Sequence, residues 1–241
     1  FNRLLGLENV FYSPVSFNSF SHSGTYVNML YPWLTMFPLR ILYQLTHNYL
    51  ITFNIFHVFL GFLTLSISYY VMHKMTKDTK VSLCFSIIYS FSLYRIMNIN
   101  LRSALGETIA MTFLPLLLLG IYYVFFDDEK KWYVLSLSLA SMAYTHILSL
   151  ILSVGGTLLI GVVSFYWWDK KSDRLISSIK AGLFFVLLSL GALVPVVYAS
   201  VMNKVYVPPH SSHWFGKSAL SLSDIFHNAL NNPNTANSFG L

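Results

Sequence analysis

In a chain of 241 residues with only 10% charged, the stretch YRIMNINLRSALGE, Tyr94 to Glu107, sets two arginines and a glutamate between two strongly apolar runs. Arg95 and Arg102 are seven apart, so a helix continuing through IMNIN would put both on one face, about 10.5 Å apart along its axis. Guanidinium groups so placed could line one wall of a phosphate pocket, because the planar fork stays charged and donates paired hydrogen bonds to oxygens. The plainer account is that Arg95 snorkels towards lipid headgroups and Arg102 lies in a loop. Ionisable residues at membrane depth are functional by default, which favours the pocket.

Glu107 opens the apolar run that follows, where a helix N-terminus stabilises a carboxylate by about 0.3 to 1 kcal/mol. It reads first as a group that orients Arg102, and only second as a direct participant in chemistry or metal binding. His146 is the one His, Asp, Glu, Lys or Arg inside the apolar run Trp132 to Trp168, with Thr145 and Ser149 beside it. A neutral imidazole there could bond a phosphate, accept a proton or join two helices. His210 and His213 in VPPHSSHWF are three apart, but a zinc site needs about three protein ligands, so no metal site is assigned. The sequence has no Ser-His-Asp order, P-loop or GxGxxG to argue for hydrolase or nucleotide chemistry.

The elements that must position these residues are membrane spans. Hydrophobic residues make up 55% of the chain and aromatics 17%, with a mean hydropathy of +0.59. That composition excludes an ordinary soluble domain. A span needs about 20 apolar residues, and four runs qualify directly: Tyr49 to Met72, Val81 to Met97, Glu107 to Phe126, and Ser177 to Val201. The run Trp132 to Trp168 would make a helix of about 55 Å, too long for one pass through a hydrocarbon core of about 30 Å. Two short passes fit it, with the turn near THILS, Thr145 to Ser149. The expected fold is therefore an all-α polytopic bundle of about six spans. Tyr31 to Leu45, apolar but short and carrying Pro38 and Arg40, reads as an interfacial or re-entrant helix.

The net charge of +6 is a topology signal rather than a nucleic-acid footprint. Lys74, Lys77 and Lys80 mark one loop, Lys130 and Lys131 a second, and Lys170, Lys171, Arg174 and Lys180 a third. All three share a side only if the long run crosses twice, and the positive-inside rule makes that side cytoplasmic. The expected organisation is an outer-face segment at 1–48, a transmembrane bundle at 49–201, and an outer-face polar segment at 202–241 with a short helix at Leu222 to Leu230 capped by Ser221. Phe1 follows no signal-peptide pattern, and the sequence reads as a piece of a longer protein cut at both ends. Cys84 stands alone, which leaves no disulfide within the chain.

FNRLLGLENV, GTYVNMLYPWLTMFPLRILY, the span from IYSFSLYRIMNINLRSALGE to GIYYVF, and KKWYVLSLSLASMAYTHILSL together resemble the large bacterial membrane proteins called YfhO-like or "6-pyruvoyl-tetrahydropterin synthase related". That family is similar to the GT-C glycosyltransferases, and the resemblance covers most of Phe1 to Leu150. It implies a multi-pass protein of the bacterial cytoplasmic membrane with its active site on the outer face. There it would transfer a sugar from a polyprenyl-phosphate carrier to an envelope glycan, teichoic acid or protein acceptor. By matching positions, Arg3, Tyr94, Arg95, Arg102, Glu107 and His146 are carried over as pocket residues, with Asn2, Tyr31 and His210 as secondary candidates. The resemblance leaves room for a divalent metal in the intact protein. It also places the catalytic acid of the first outer loop upstream of Phe1, so the chain as given is expected to be inactive alone.

Two other classes stand beside this one. A transporter or flippase of lipid-linked saccharides would hold the phosphate with the same arginines and react with nothing. A non-catalytic envelope scaffold would need none of them.

Overall fold

The computed structural model describes Leu7, residues 34–102 and residues 104–202, and among these all regular structure is helical. A 3-10 turn, Leu34–Met36, leads into α1 (Phe37–Thr46). Then come α2 (Tyr49–Thr76), α3 (Thr79–Ser90), α4 (Leu93–Asn100) and α5 (Leu105–Phe126). A second 3-10 turn, Glu129–Lys131, precedes α6 (Trp132–Ala143). The described chain ends with α7 (Ile147–Ser164), the turn Phe165–Trp167, and α8 (Lys171–Met202).

Five stretches are long and apolar enough to cross a membrane: Tyr49–Thr76, Thr79–Asn100, Leu105–Phe126, Ile147–Trp167 and Lys171–Tyr198. The chain is a multi-pass helical membrane protein. The expected sixth span is not among them. The run Trp132 to Trp168 does break at Tyr144–His146, but unequally, and α6 keeps only 12 residues, about 18 Å of helix. Thr145 makes the break by giving both its amide and its hydroxyl to the Met142 carbonyl, at 3.1 and 3.0 Å. His146 then caps the next helix. At the N-terminal side, α1 is a ten-residue helix with Pro38 in its first turn, well short of a span, and buries Leu39 in a cluster with Phe56 and Leu60 of α2.

Helix α5 is the axis of the bundle: 61% of its most apolar stretch is buried, against 17% to 28% in the other four. The buried faces of α2 and α3 are rich in small hydroxyl residues. On α2 the buried stripe is Thr52, Phe56, Leu60, Thr64 and Ser68, and on α3 it is Ser82, Ser86 and Ser90, each at a spacing of four. Leu50, Phe62, Val162 and Leu183 point outwards. This is the polarity expected in hydrocarbon, where a leucine gains nothing by leaving lipid and helices meet through small residues and hydrogen bonds. Thr52 and Thr64 return their hydroxyls to carbonyls four residues back, both at 2.7 Å. Thr64 also meets Thr112 of α5 at 2.9 Å.

Two tight junctions share one design. His47 and Lys77 take the left-handed conformation that ends α1 and α2, and the next residue caps the following helix. Asn48 accepts from the Ile51 amide at 3.2 Å, and Asp78 from those of Lys80 and Val81 at 2.7 and 3.1 Å.

The basic loops gather at the C-terminal end of α5. Arg174, buried near the start of α8, donates to the carbonyls of Val124 and Asp127 at 2.9 and 3.2 Å and pairs with Asp169 at 2.5 Å. It thereby satisfies carbonyls that the end of α5 leaves without helical partners. The same hydrogen bond holds the Asp169 carboxyl below its usual range. Trp168 stacks on Phe125 at 5.1 Å, so α7 returns to the end of α5 from which α6 departed. Residues 132–168 therefore form a hairpin.

Candidate functional site

The polar residues of the Tyr94–Glu107 stretch meet where α4 hands over to α5. Helix α4 stops at Asn100, and the chain doubles back: the amides of Leu101 and Arg102 both reach the Met97 carbonyl, at 2.9 and 3.0 Å, and that of Ala104 reaches Asn98 at 3.0 Å. This return lays the Arg102 side chain back along α4. Its Nη1 donates to Asn98 Oδ1 at 2.9 Å and to the Tyr94 hydroxyl at 3.3 Å, and lies 3.5 Å from Glu107 Oε2. Tyr94 completes the set by donating its hydroxyl to Glu107 Oε1. Glu107 sits in the first turn of α5, where the helix dipole favours a carboxylate.

Nη1 carries every one of these contacts. The Arg102 side chain is 53% exposed, and its Nη2 and Nε donate to none of the described residues. Three partners thus hold Nη1, while Nη2 and Nε have no partner among the described residues on a side chain more than half exposed. That is the geometry for taking two oxygens of a phosphate or carboxylate.

Arg95 does not share this environment, which corrects the expectation that both arginines line one face. The helix ends two residues before Arg102, so the seven-residue phase between the two arginines is lost. Tyr94, one residue away on α4, turns towards Arg102, and Arg95 turns inwards. Its side chain is fully buried between α2, α4 and α5. Nη1 donates to the Thr108 carbonyl at 3.3 Å, Nη2 to the Leu60 carbonyl at 3.5 Å, and both reach Thr112 Oγ1 at 3.4 Å. No carboxylate pairs with it among the described residues. A buried cation is costly unless its donors are met, and here neutral oxygens from two neighbouring helices meet them. Arg95 is a clamp between helices.

His146 stands at the N-terminus of α7. Its Nδ1 accepts from the Ser149 amide at 3.4 Å and contacts the Ser149 hydroxyl at 2.9 Å, so the imidazole acts as the helix cap that Ser or Asn more often supplies. Burial pushes its pKa down, the charge of Glu107 opposes that shift, and Arg102 adds to it. The ring is therefore within electrostatic reach of the Arg102–Glu107 pair. Thr35 donates its hydroxyl to the Tyr144 carbonyl at 2.6 Å and ties the turn before α1 to the same end of the bundle.

The structure thus brings Tyr94, Arg102 and Glu107 together, sets His146 nearby and takes Arg95 away. Asn98 belongs to the site although the sequence reading did not single it out. Its side chain is buried, with Nδ2 on Met111 Sδ at 3.8 Å. The signal was available in its spacing of four from Arg102. Asn2, Arg3, Tyr31, His210, His213 and the helix expected at Leu222 to Leu230 lie outside the described residues. Among the described residues no three His, Cys, Asp or Glu side chains stand together as a metal site. Glu107 already has its oxygens engaged by Tyr94 and Arg102.

No family model matches this chain, and comparison with curated proteins and with solved structures finds no match.

Proposed function

We propose that the chain binds the phosphate of a polyprenyl-phosphate-linked sugar at the Tyr94–Arg102–Glu107 cluster and that it forms the membrane core of a GT-C-type glycosyltransferase of the bacterial cytoplasmic membrane. The observation that carries the binding step is the half-exposed Arg102, anchored through Nη1, its other N–H groups without a partner among the described residues. The cluster lies at the α5 end remote from the basic loops, which under the positive-inside rule is the outer face. The transfer step draws on the sequence resemblance.

In such a transfer, the bond from the sugar's anomeric carbon to the carrier phosphate breaks and negative charge collects on the departing phosphate oxygen. A fixed guanidinium stabilises that charge more in the transition state than in the ground state. Glu107 and Asn98 hold Arg102 in place, and Tyr94 keeps the Glu107 carboxylate oriented. Glu107 is occupied by two donors and is a poor general base for an acceptor hydroxyl. The resemblance assigns that role to a further acid outside this cluster. The acceptor would be an envelope glycan or teichoic acid.

The test uses the protein purified in neutral detergent, with undecaprenyl phosphate as the probe. Wild type should bind it, Arg102→Ala should bind at least tenfold more weakly, and Arg102→Lys should fall between. Equal binding by wild type and Arg102→Ala would sink the phosphate site. Binding with no sugar transfer to any envelope fraction, from membranes supplied with lipid-linked sugars, would instead support transport.

A further inference from the structure

The opposite end of α5 carries a second polar constellation. Helices α2 and α6 both pack on α5, and between them lies a cavity of about 630 Å³ over the C-terminal half of α5. Lys74 and Lys77 enter it from the end of α2, Lys131 from the turn before α6, and Tyr122 and Asp127 from α5 and its C-terminus. Three lysines thus line the cavity against one lining carboxylate. Asp128, at 3.2 Å from Lys131, supplies a second from outside the lining. Lys74 and Lys131 also lie over the rings of Tyr70 and Tyr123, at 5.3 and 4.6 Å from their centroids. These contacts draw the two ammonium groups in against the bundle.

The floor of the cavity is of different character. Leu119 and Leu116 continue along α5 from the lysine end towards the middle of the bundle, and Val134 and Leu137 do the same on α6. The outer rim is exposed at Tyr70, Tyr133 and Leu137, so the cavity opens sideways, where hydrocarbon surrounds a membrane bundle. A cationic mouth at the helix ends continuing into an apolar, side-opening trough matches one kind of ligand: a phosphate with an acyl chain attached. Basic pockets between transmembrane helices hold anionic lipid headgroups by the same means.

We infer that this cavity is a binding site for an anionic phospholipid, with the headgroup phosphate among Lys74, Lys77 and Lys131 and an acyl chain along Leu116 and Leu119. The site is separate from the Arg102 cluster, at the other end of the same helix, and does not depend on the function proposed for that cluster. Occupying it would neutralise the lysines and fill the gap between α2 and α6.

Native mass spectrometry of the full chain in neutral detergent, titrated with dioleoyl phosphatidylglycerol or dioleoyl phosphatidylcholine, tests this. Wild type should retain one phosphatidylglycerol in preference to phosphatidylcholine. Each lysine near a membrane surface contributes about fivefold to such binding, so Lys74→Gln/Lys77→Gln should lose about 25-fold in affinity. Lys131 is left alone because it pairs with Asp128, and Lys74→Arg/Lys77→Arg, which keeps the charge, should retain the lipid. Equal retention of both lipids by wild type, or equal phosphatidylglycerol affinity in wild type and the glutamine variant, would overturn the site. Millimolar glycerol 3-phosphate should not displace the lipid. Displacement would mean that the lysines take a soluble phosphate and would overturn the lipid assignment.

Discussion

Arg102 Nη1 lies 3.5 Å from Glu107 Oε2 across the junction of α4 and α5, and this pair, rather than the two arginines, organises the polar end of the bundle. The pair is partly open to solvent on the arginine side, so its direct contribution to stability is modest. Exposed ion pairs are worth about 0.2 to 1 kcal/mol. Glu107→Gln should therefore lower the unfolding free energy in detergent by no more than about 1 kcal/mol, while releasing Arg102 and weakening undecaprenyl phosphate binding several-fold. If Glu107→Gln binds as wild type does, the carboxylate is not what positions the arginine.

Arg95 gives the opposite expectation. Its long side chain fills the space between three helices, so Arg95→Ala should cost about 2 to 5 kcal/mol, as large core truncations do. Arg95→Met keeps most of the volume and removes the buried charge, and its cost should be much smaller, because apolar replacements of buried charges are often neutral or better. Both variants should leave the affinity of folded protein for undecaprenyl phosphate within about twofold of wild type, an allowance well inside the effect of one lost charged contact. A large loss of binding in Arg95→Met, at unchanged melting temperature, would return Arg95 to the ligand site.

Helices α5 and α6 touch backbone to backbone at Gly120. A Cβ built there would fall 2.6 Å from Leu135 Cα and 2.7 Å from Leu135 N, whereas Gly155 and Gly156 of α7 have nothing within 4 Å. Gly120→Ala must push the helices apart and should cost about 1 to 3 kcal/mol. Gly155→Ala in the same protein should be neutral or stabilise by up to about 1 kcal/mol through helix propensity. Thermal unfolding of the two variants side by side gives the comparison, and equal melting temperatures would refute the close contact.

His146 makes stability depend on pH in a definite sense. Burial depresses its folded pKa, so the unfolded chain takes up the proton first as pH falls, and stability is lost from about pH 6.5 downwards. The capping bond to Ser149 through Nδ1 is lost with that proton. His146→Asn, which can still cap α7, should show a flatter profile between pH 7.5 and 5, on the order of the His titration range. Parallel melting curves for the two proteins across that range would remove the assignment.

Much of the membrane architecture is legible in the sequence because hydrocarbon imposes length and polarity directly. A run of about 20 apolar residues must be helical to satisfy its backbone, and lysines cluster in the loops between such runs. Thr145 marks the hairpin turn for the same reason: it is a polar, hydrogen-bonding residue where an overlong run has to stop. Glu107 was recognisable as an arginine-orienting group from its place at a helix N-terminus.

Which way each polar side chain turns is fixed by packing in three dimensions. Arg95 and Arg102 share a face only if one helix carries both, and the chain return at Met97–Ala104 depends on docking against α5, which no spacing rule records. The buried stripe of α2 is equally hidden in the sequence, since apolar residues show no preference between lipid and protein, and its threonines are recognised as interior only once α5 is beside them. Arg174, an ordinary loop cation by position, becomes the lock on the end of α5 because the carbonyls of Val124 and Asp127, far away in sequence, converge on it beside its near neighbour Asp169. Composition and length set what could enter the membrane, and packing around α5 set which charges face the interior and which stay available to a ligand.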